Sequence, residues 1–292
     1  MNKIICPVCA NKSEYYCNKN RAVYYRCHEC GVIFQHPLPS LEEMINYADT
    51  EYKDGMYKEY LSADEIKNAT FTYRLEKVLQ IYREQNNELP SNLRIFDVGC
   101  SNGRFIEIAI SRGYDAWGLE FSESAISAAS PAIRDRIYKG DANEISKLKL
   151  GTFDVITAFD LIEHVFNPVG FLENLRQLAG DKSVFVFATP DASSPIRFLM
   201  GKNWSMLQPF QHTVLLARKS AKQLLESTGF DLIYMDSTKK VFTSDYLFGQ
   251  LYAVNPAIHR AYKGIQGIIP KPIREKKFMV NIGEMMFGAK IK

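Results

Sequence analysis

Two groups of residues in this 292-residue chain have types and spacings suited to chemistry. Cys6-Pro-Val-Cys9 and Cys27-His-Glu-Cys30 repeat a C-x2-C pair across a gap of seventeen residues. Four thiolates presented by two such turns can close a tetrahedron around Zn²⁺, and the spacing lies in the zinc-ribbon range. Ala10 and Gly31, one after each pair, are small enough for a tight turn beneath the sulfurs. A closed four-sulfur site leaves no open position, so the expected role is structural or in recognition. Disulfides are the competing use, disfavoured by the expected cytoplasmic location. Cys17 and His28 read as bystanders. The second group is Asp160-Leu-Ile-Glu163-His164, three polar side chains directly after an apolar run, with Pro209-Phe-Gln-His212 further on. An imidazole changes charge near neutral pH, so His164 is a candidate general base, with Asp160 and His212 beside it as catalytic candidates.

A third feature binds rather than reacts. Asp97-Val-Gly99-Cys100-Ser101-Asn102-Gly103 follows the apolar run Leu93–Val98 and precedes the helical run Arg104–Arg112. Strand, glycine turn and helix bring backbone close to a ligand beyond the carboxyl end of a first strand. A dinucleotide fingerprint needs G-x-G-x-x-G; the pattern here is G-x-x-x-G after an acid. That acid repels a pyrophosphate but accepts from an ammonium group.

The elements that must position these residues alternate. Strands are expected at 116–120, 137–142, 153–160, 183–188 and from Phe230, with a helix over 219–228 ending at Gly229. Such alternation predicts a parallel sheet with helices on both faces. Short strands, Tyr24–Arg26 and Val32–Phe34, are expected around the cysteines. Ser40-Leu-Glu-Glu43 opens a helix with a capping box. The stretch to about residue 87 is helical in period and carries Tyr47, Tyr52, Tyr57, Tyr60, Tyr73 and Tyr82, either a cap over a pocket or core packing.

The glycine turn and the strands and helices after it resemble class I S-adenosylmethionine-dependent methyltransferases over about residues 70–240, with Ser101 standing where a glycine is common. The resemblance implies a Rossmann-like α/β fold, a seven-stranded methyltransferase sheet. It implies S-adenosylmethionine bound by Asp97, Gly99, Cys100, Gly103, Glu120, Phe121, Asp141, Ala142 and Phe159. Glu120 would take both ribose hydroxyls, Phe121 would pack on adenine, and Asp141 would meet the adenine amino group. The Glu163-His164…His212 segment resembles ubiquinone-pathway O-methyltransferases and small-RNA 2′-O-methyltransferases. It implies Asp160, Glu163, His164 and His212 as ligands of a divalent cation such as Mg²⁺, with Asp160 departing from Glu. Metal ligand, simple base and structural histidine all stay open for His164.

The expected division is a zinc ribbon over 1–38, a helical linker or cap over 39–90, the cofactor-binding core over 91–240 and a basic sheet-completing extension over 241–292. The loop 191–211 carries Arg197, Lys202, Asn203 and Trp204, the tryptophan being either a plate for an acceptor or an anchor. The net charge of +3 is too small to argue for nucleic acid, but residues 255–292 hold eight Lys/Arg against Glu275 and Glu284. That tail is a solvated face or, through 260–277, a peripheral membrane contact. A final hairpin, Phe278–Val280 with Met285–Phe287, is expected. No apolar run approaches the ~20 residues of a membrane span, nor is there a secretory leader, so a cytoplasmic location is expected. The expected activity is O-methylation, with C- or N-methylation as variants, of a sugar, nucleotide sugar or other small polar metabolite. The alternatives are an RNA methyltransferase gripping nucleic acid with the ribbon, and a non-catalytic cofactor-binding scaffold.

Overall fold

The computed structural model describes residues 3–40, 43, 64–248 and 256–292. The ribbon contributes β1 (Ser13–Lys19), β2 (Ala22–Cys27) and β3 (Ile33–Gln35). β1 and β2 pair antiparallel about Asn20-Arg21, both at positive φ as a tight hairpin turn requires. Next come α1 (Asp64–Asn86), β4 (Arg94–Val98), α2 (Arg104–Ser111), β5 (Asp115–Glu120), α3 (Glu123–Ser127), β6 (Ile137–Lys139) and β7 (Phe153–Phe159). The chain continues through α4 (Pro168–Leu175), β8 (Ala179–Pro190), α5 (Pro195–Met200), β9 (Val214–Leu215) and α6 (Arg218–Ser227). It finishes with β10 (Phe230–Phe242), α7 (Pro256–Gln266), α8 (Lys271–Arg274) and β11 (Phe278–Ile291).

Seven strands form the main sheet in the order β10-β11-β8-β7-β4-β5-β6. The five from β8 to β6 are parallel, while β11 runs antiparallel to both β8 and β10. The expected parallel order holds over those five strands, and β11 departs from it at one edge. The expected terminal hairpin is corrected: residues 278–291 are one strand. Gly283 (φ +90°) bends that strand without reversing it, and its carbonyl accepts the Asp191 N–H at 2.8 Å. Burial explains the choice, because Met285, Met286 and Phe287 are each at most 1% exposed between β8 and β10.

Each sheet face carries a core. On one, α1 lays Leu75, Val78, Ile81 and Tyr82 against Ile95, Val155, Val184 and Met286. Residues 64–86 therefore form a layer of the fold, not a lid, and Tyr82 is core. Ser40 and Glu43 do exchange the capping-box bonds (Glu43 N–H to Ser40 Oγ 3.1 Å, Ser40 N–H to Glu43 Oε2 2.8 Å). Tyr47, Tyr52, Tyr57 and Tyr60 lie outside the described residues.

On the other face, Phe96, Ile156, Phe171, Leu172, Phe187 and Leu224 share one cluster with Cys6, Cys27, Cys30, Val32 and Phe34. The ribbon therefore packs into the same core as the sheet. Its own sheet is continued by β9, which pairs antiparallel with β3 (Ile33↔Leu215, Phe34↔Val214). Across the ribbon's other side, Cys17, Ala22 and Tyr24 pack on Ala192, Trp204 and Leu207. Trp204 is fully buried there, so it anchors the 191–211 loop and offers no plate to an acceptor.

Candidate active site

Strand β4 ends in Asp97 and the chain turns sharply. The Gly99 and Cys100 N–H groups both donate to the Leu119 carbonyl (2.8 and 3.0 Å), which ties the turn to β5. Gly103 has φ +73°, and a Cβ there would lie 2.4 Å from Ile133 Cδ1, so only glycine closes this turn. At the tip of β5 the Glu120 carboxylate is held by two backbone donors, Ser101 N–H on Oε2 and Ser122 N–H on Oε1, each at 2.8 Å. Each oxygen keeps a lone pair, so a fixed carboxylate stands ready to accept from a vicinal diol. Asp97 is buried and accepts from Thr157 Oγ1 at 2.6 Å. Burial pushes its carboxyl up to about 7 against the opposing pull of Thr157. A cationic ligand nearby would restore its ionised form.

The remaining cofactor candidates divide. Phe121 is 67% exposed, and Asp141 and Ala142 are half-buried, so all three can meet a ligand. Cys100 is buried, with burial raising its thiol far above the usual range. Phe159 packs edge-on to Phe105 at 5.1 Å and under the Arg74 guanidinium.

Beyond β7 the backbone turns at Asp160 (φ +52°). Arg74 of α1 grips this carboxylate through two bonds, Nη1 to Oδ2 at 2.8 Å and Nη2 to Oδ1 at 3.2 Å. Lys240 of β10 lies 3.4 Å from Oδ1 and 2.5 Å from Glu284 of β11, whose carboxylate is also 3.6 Å from Arg74. Burial alone would raise the Asp160 carboxyl, but the Arg74 and Lys240 charges hold it well below the usual carboxylate range. Asp160 is thereby taken up as a counter-ion. It does not join the metal-binding group among the described residues, which corrects the expected ligand set. Arg74, Lys240 and Glu284 were missed in the sequence, although Arg74 and Glu284 each left a signal. Arg74 sits beside Leu75 on an otherwise apolar helix face, and Glu284 directly precedes Met285-Met286-Phe287.

Glu163, His164 and His212 do converge. Each offers a ligand atom, and these atoms lie within 4.8 Å of one another. The two imidazoles meet edge-on, 4.8 Å between centroids at 78°. His164 Nδ1 lies 3.1 Å from the Gln211 carbonyl and His212 Nδ1 lies 2.8 Å from the Met206 carbonyl. A carbonyl only accepts, so in both rings Nδ1 carries the proton and Nε2 keeps its lone pair. Burial lowers the His164 pKa and takes His212 down to about 3, which keeps both rings neutral. Glu163 accepts from Thr189 Oγ1 at 2.9 Å; burial, reinforced by Asp160, pushes its carboxyl up to about 8. The two nitrogen lone pairs are a proton-accepting set, and with Glu163, which a bound cation would ionise, they are equally a metal-ligand set.

The ribbon holds this group in place. Thr213 N–H donates to the Glu163 carbonyl, and the Thr213 carbonyl accepts from Gln35 N–H at 2.9 Å. Gln35 is buried, and its Oε1 accepts the Phe210 N–H at 3.1 Å, two residues from His212. Within the ribbon, the Cys6 and Cys30 sulfurs and the Cys9 and Cys27 sulfurs are each 3.5 Å apart, all four within 4.8 Å. Tetrahedral Zn–S bonds of about 2.3 Å place sulfurs about 3.8 Å apart, so the quartet fits zinc. The turns beneath match: Ala10 N–H bonds the Cys6 carbonyl and Gly31 N–H the Cys27 carbonyl, both residues at positive φ. Cys17 and His28 stand apart, Cys17 buried under Trp204 and His28 bonded to Glu14. A recess of about 400 Å³ lined by Gln85, Asn86 and Lys182 lies at the amino end of β8, away from all these groups.

Residues 71–234, more than half of the chain, match the family model described as a methyltransferase domain. The ubiquinone biosynthesis O-methyltransferase of Methylococcus capsulatus is 30% identical over 102 residues, 33% of this chain and 43% of that one. The chain thus spans under half the length of this curated relative. A SAM-dependent methyltransferase from Archaeoglobus fulgidus superposes with a TM-score of 0.52 at 16% identity, covering 79% of this chain and 98% of the other. The magnesium protoporphyrin IX methyltransferase of Synechocystis, solved with bound SAH, gives 0.51 at 13% identity, with 85% and 97% covered. At such identities the two structures share the fold. The chain belongs to the class I S-adenosylmethionine-dependent methyltransferases.

Proposed function

We propose that the protein transfers the methyl group of S-adenosylmethionine to a hydroxyl oxygen of a small polar acceptor. The observation carrying this reading is the pair of imidazole Nε2 lone pairs beside Glu163, at the same end of the sheet as Glu120 and Asp97. Glu120 would accept from the two ribose hydroxyls, and ionised Asp97 would face the cofactor's ammonium end. Phe121 would cover the adenine, and Asp141 would accept from its amino group. The sulfonium is already activated, so the protein mainly aligns the acceptor and excludes water. S-adenosylmethionine held there would supply the methyl group, the bond to the acceptor oxygen forming as the methyl–sulfur bond breaks and its electron pair returns to sulfur. The acceptor's proton passes to His164 Nε2. Were Glu163, His164 and His212 instead to hold a divalent cation, it would acidify the acceptor hydroxyl, and His164 Nε2, then a ligand, would not take the proton. Two imidazoles and one carboxylate suit zinc, manganese or iron better than the oxygen-seeking Mg²⁺.

The O-methyltransferase name of the curated relative supports oxygen as the acceptor atom. Hydroxylated aromatics therefore join sugars and nucleotide sugars as acceptor classes to test. Zinc in the Cys6, Cys9, Cys27 and Cys30 quartet would be structural. The ribbon as an RNA grip loses support, because both of its faces pack within the protein. The test is transfer of labelled methyl from S-adenosylmethionine to catechol-type, sugar and nucleotide-sugar panels. Product from wild type and none from His164→Ala supports the reading; equal turnover by His164→Ala refutes the proton-accepting role.

A further inference from the structure

Between β10 and β11 lie residues 243–277, described over 243–248 and 256–277, where they stand outside the main sheet. The last pair of the register is Phe242↔Phe278, and Lys240 stands opposite Val280. Because β10 and β8 are both antiparallel to β11, they run parallel to each other. The excursion therefore departs at the end of the sheet that carries the candidate site, two residues beyond Lys240. Asp245 pins its parts together, accepting from Gln266 Nε2 at 2.9 Å and from Arg274 Nη1 at 2.6 Å. Tyr262 turns inward and stacks on Phe248 at 4.3 Å, while Arg274 Nε caps the Ile269 carbonyl at 3.0 Å.

The outward residues are unusual. Ile265, Ile268 and Ile273 are 52%, 81% and 61% exposed, and Lys263, Lys271 and Lys276 beside them are exposed too. Residues 256–277 hold six Lys/Arg against Glu275 alone. We propose that this α7–α8 face docks on an anionic lipid bilayer, the isoleucines entering the headgroup–acyl boundary and the lysines meeting the headgroups. A basic rim by itself also fits nucleic acid, but a polyphosphate offers no apolar medium for three isoleucines. A bilayer offers both at the required depth. Docked this way, the open end of the sheet faces the lipid surface. The acceptor class this implies, an amphiphile presented there, rests on the methyl-transfer reading; the docking itself does not.

The test is flotation of the full chain with vesicles of phosphatidylglycerol mixed with phosphatidylcholine, against phosphatidylcholine alone and against polyuridylate. Expected are binding to the anionic vesicles, loss of at least about tenfold on Ile268→Asp with Ile273→Asp, and about fivefold on Lys263→Ala. The variants are expected to keep the wild-type melting temperature and affinity for S-adenosylhomocysteine, since none of these side chains touches the cofactor site. No vesicle binding, undiminished binding by the double isoleucine variant, or binding to polyuridylate alone would each overturn the proposal. Binding is read without turnover, so its failure is separable from failure of the methyl-transfer reading.

Discussion

Arg74→Met would break the charge cluster that fixes the Asp160 turn. Two cations, Arg74 and Lys240, face two carboxylates, Asp160 and Glu284, and the Arg74 and Glu284 side chains are each 1% exposed. Removing the guanidinium leaves two acids against one ammonium. Breaking one partner of such a buried set costs about 3–5 kcal/mol, a large share of the about 5–15 kcal/mol that holds a domain folded. Methionine keeps most of the volume, so the loss is electrostatic rather than a cavity. Adding Glu284→Gln to the same chain restores neutrality and is expected to recover about 1–3 kcal/mol as a coupling energy. Urea unfolding of wild type, both single variants and the double closes the cycle, provided the slope against denaturant stays constant. Strict additivity, or a loss below about 1 kcal/mol on Arg74→Met, would refute the reasoning.

Gln35→Leu removes the acceptor of the Phe210 N–H and is expected to cost about 1–3 kcal/mol, lowering kcat while leaving S-adenosylhomocysteine affinity intact. Chelating the zinc proposed for the Cys6, Cys9, Cys27 and Cys30 quartet is expected to speed hydrogen exchange at residues 213–215, where Val214 and Leu215 pair with β3, while residues 94–120 stay protected; equal loss in both segments would contradict this coupling. Asp97 titrates from 3.8 up to about 7 on folding, so the cofactor-free fold keeps a proton that the unfolded chain releases. Its contribution to stability is full below pH about 4 and is lost as pH rises through about 7. Cofactor binding, which favours ionised Asp97, is expected to tighten by up to about tenfold per pH unit over the same window, as titration calorimetry at several pH values would show.

The turn proposed to bind the cofactor was legible as a turn because its residues are neighbours in sequence. Asp97 to Gly103 is one turn, and Glu120 ends the next strand. The histidine cluster was only half legible. Glu163 and His164 announce themselves as a pair, but Asp160 looked like a further ligand beside them and His212 because its partners were invisible. Arg74 and Lys240 lie 86 and 80 residues away, and a charge inside an apolar stripe reads as noise until the fold supplies its counter-ion. The union of ribbon and core was equally hidden, since β9 is two residues long and its partner strand is some 180 residues earlier. Gly283 after Asn281 reads as a hairpin turn; only burial on both sides of β11 makes it a bend within one strand.

The central claim is that Glu120 and the Asp97–Gly103 turn form an S-adenosylmethionine site. Titration calorimetry with S-adenosylhomocysteine on wild type and Glu120→Ala tests it directly. The account predicts one-to-one binding to wild type and at least about a thirtyfold weaker affinity for Glu120→Ala, about 2 kcal/mol for the lost diol bonds. No heat of binding with wild type, or equal affinity for the variant, would contradict it.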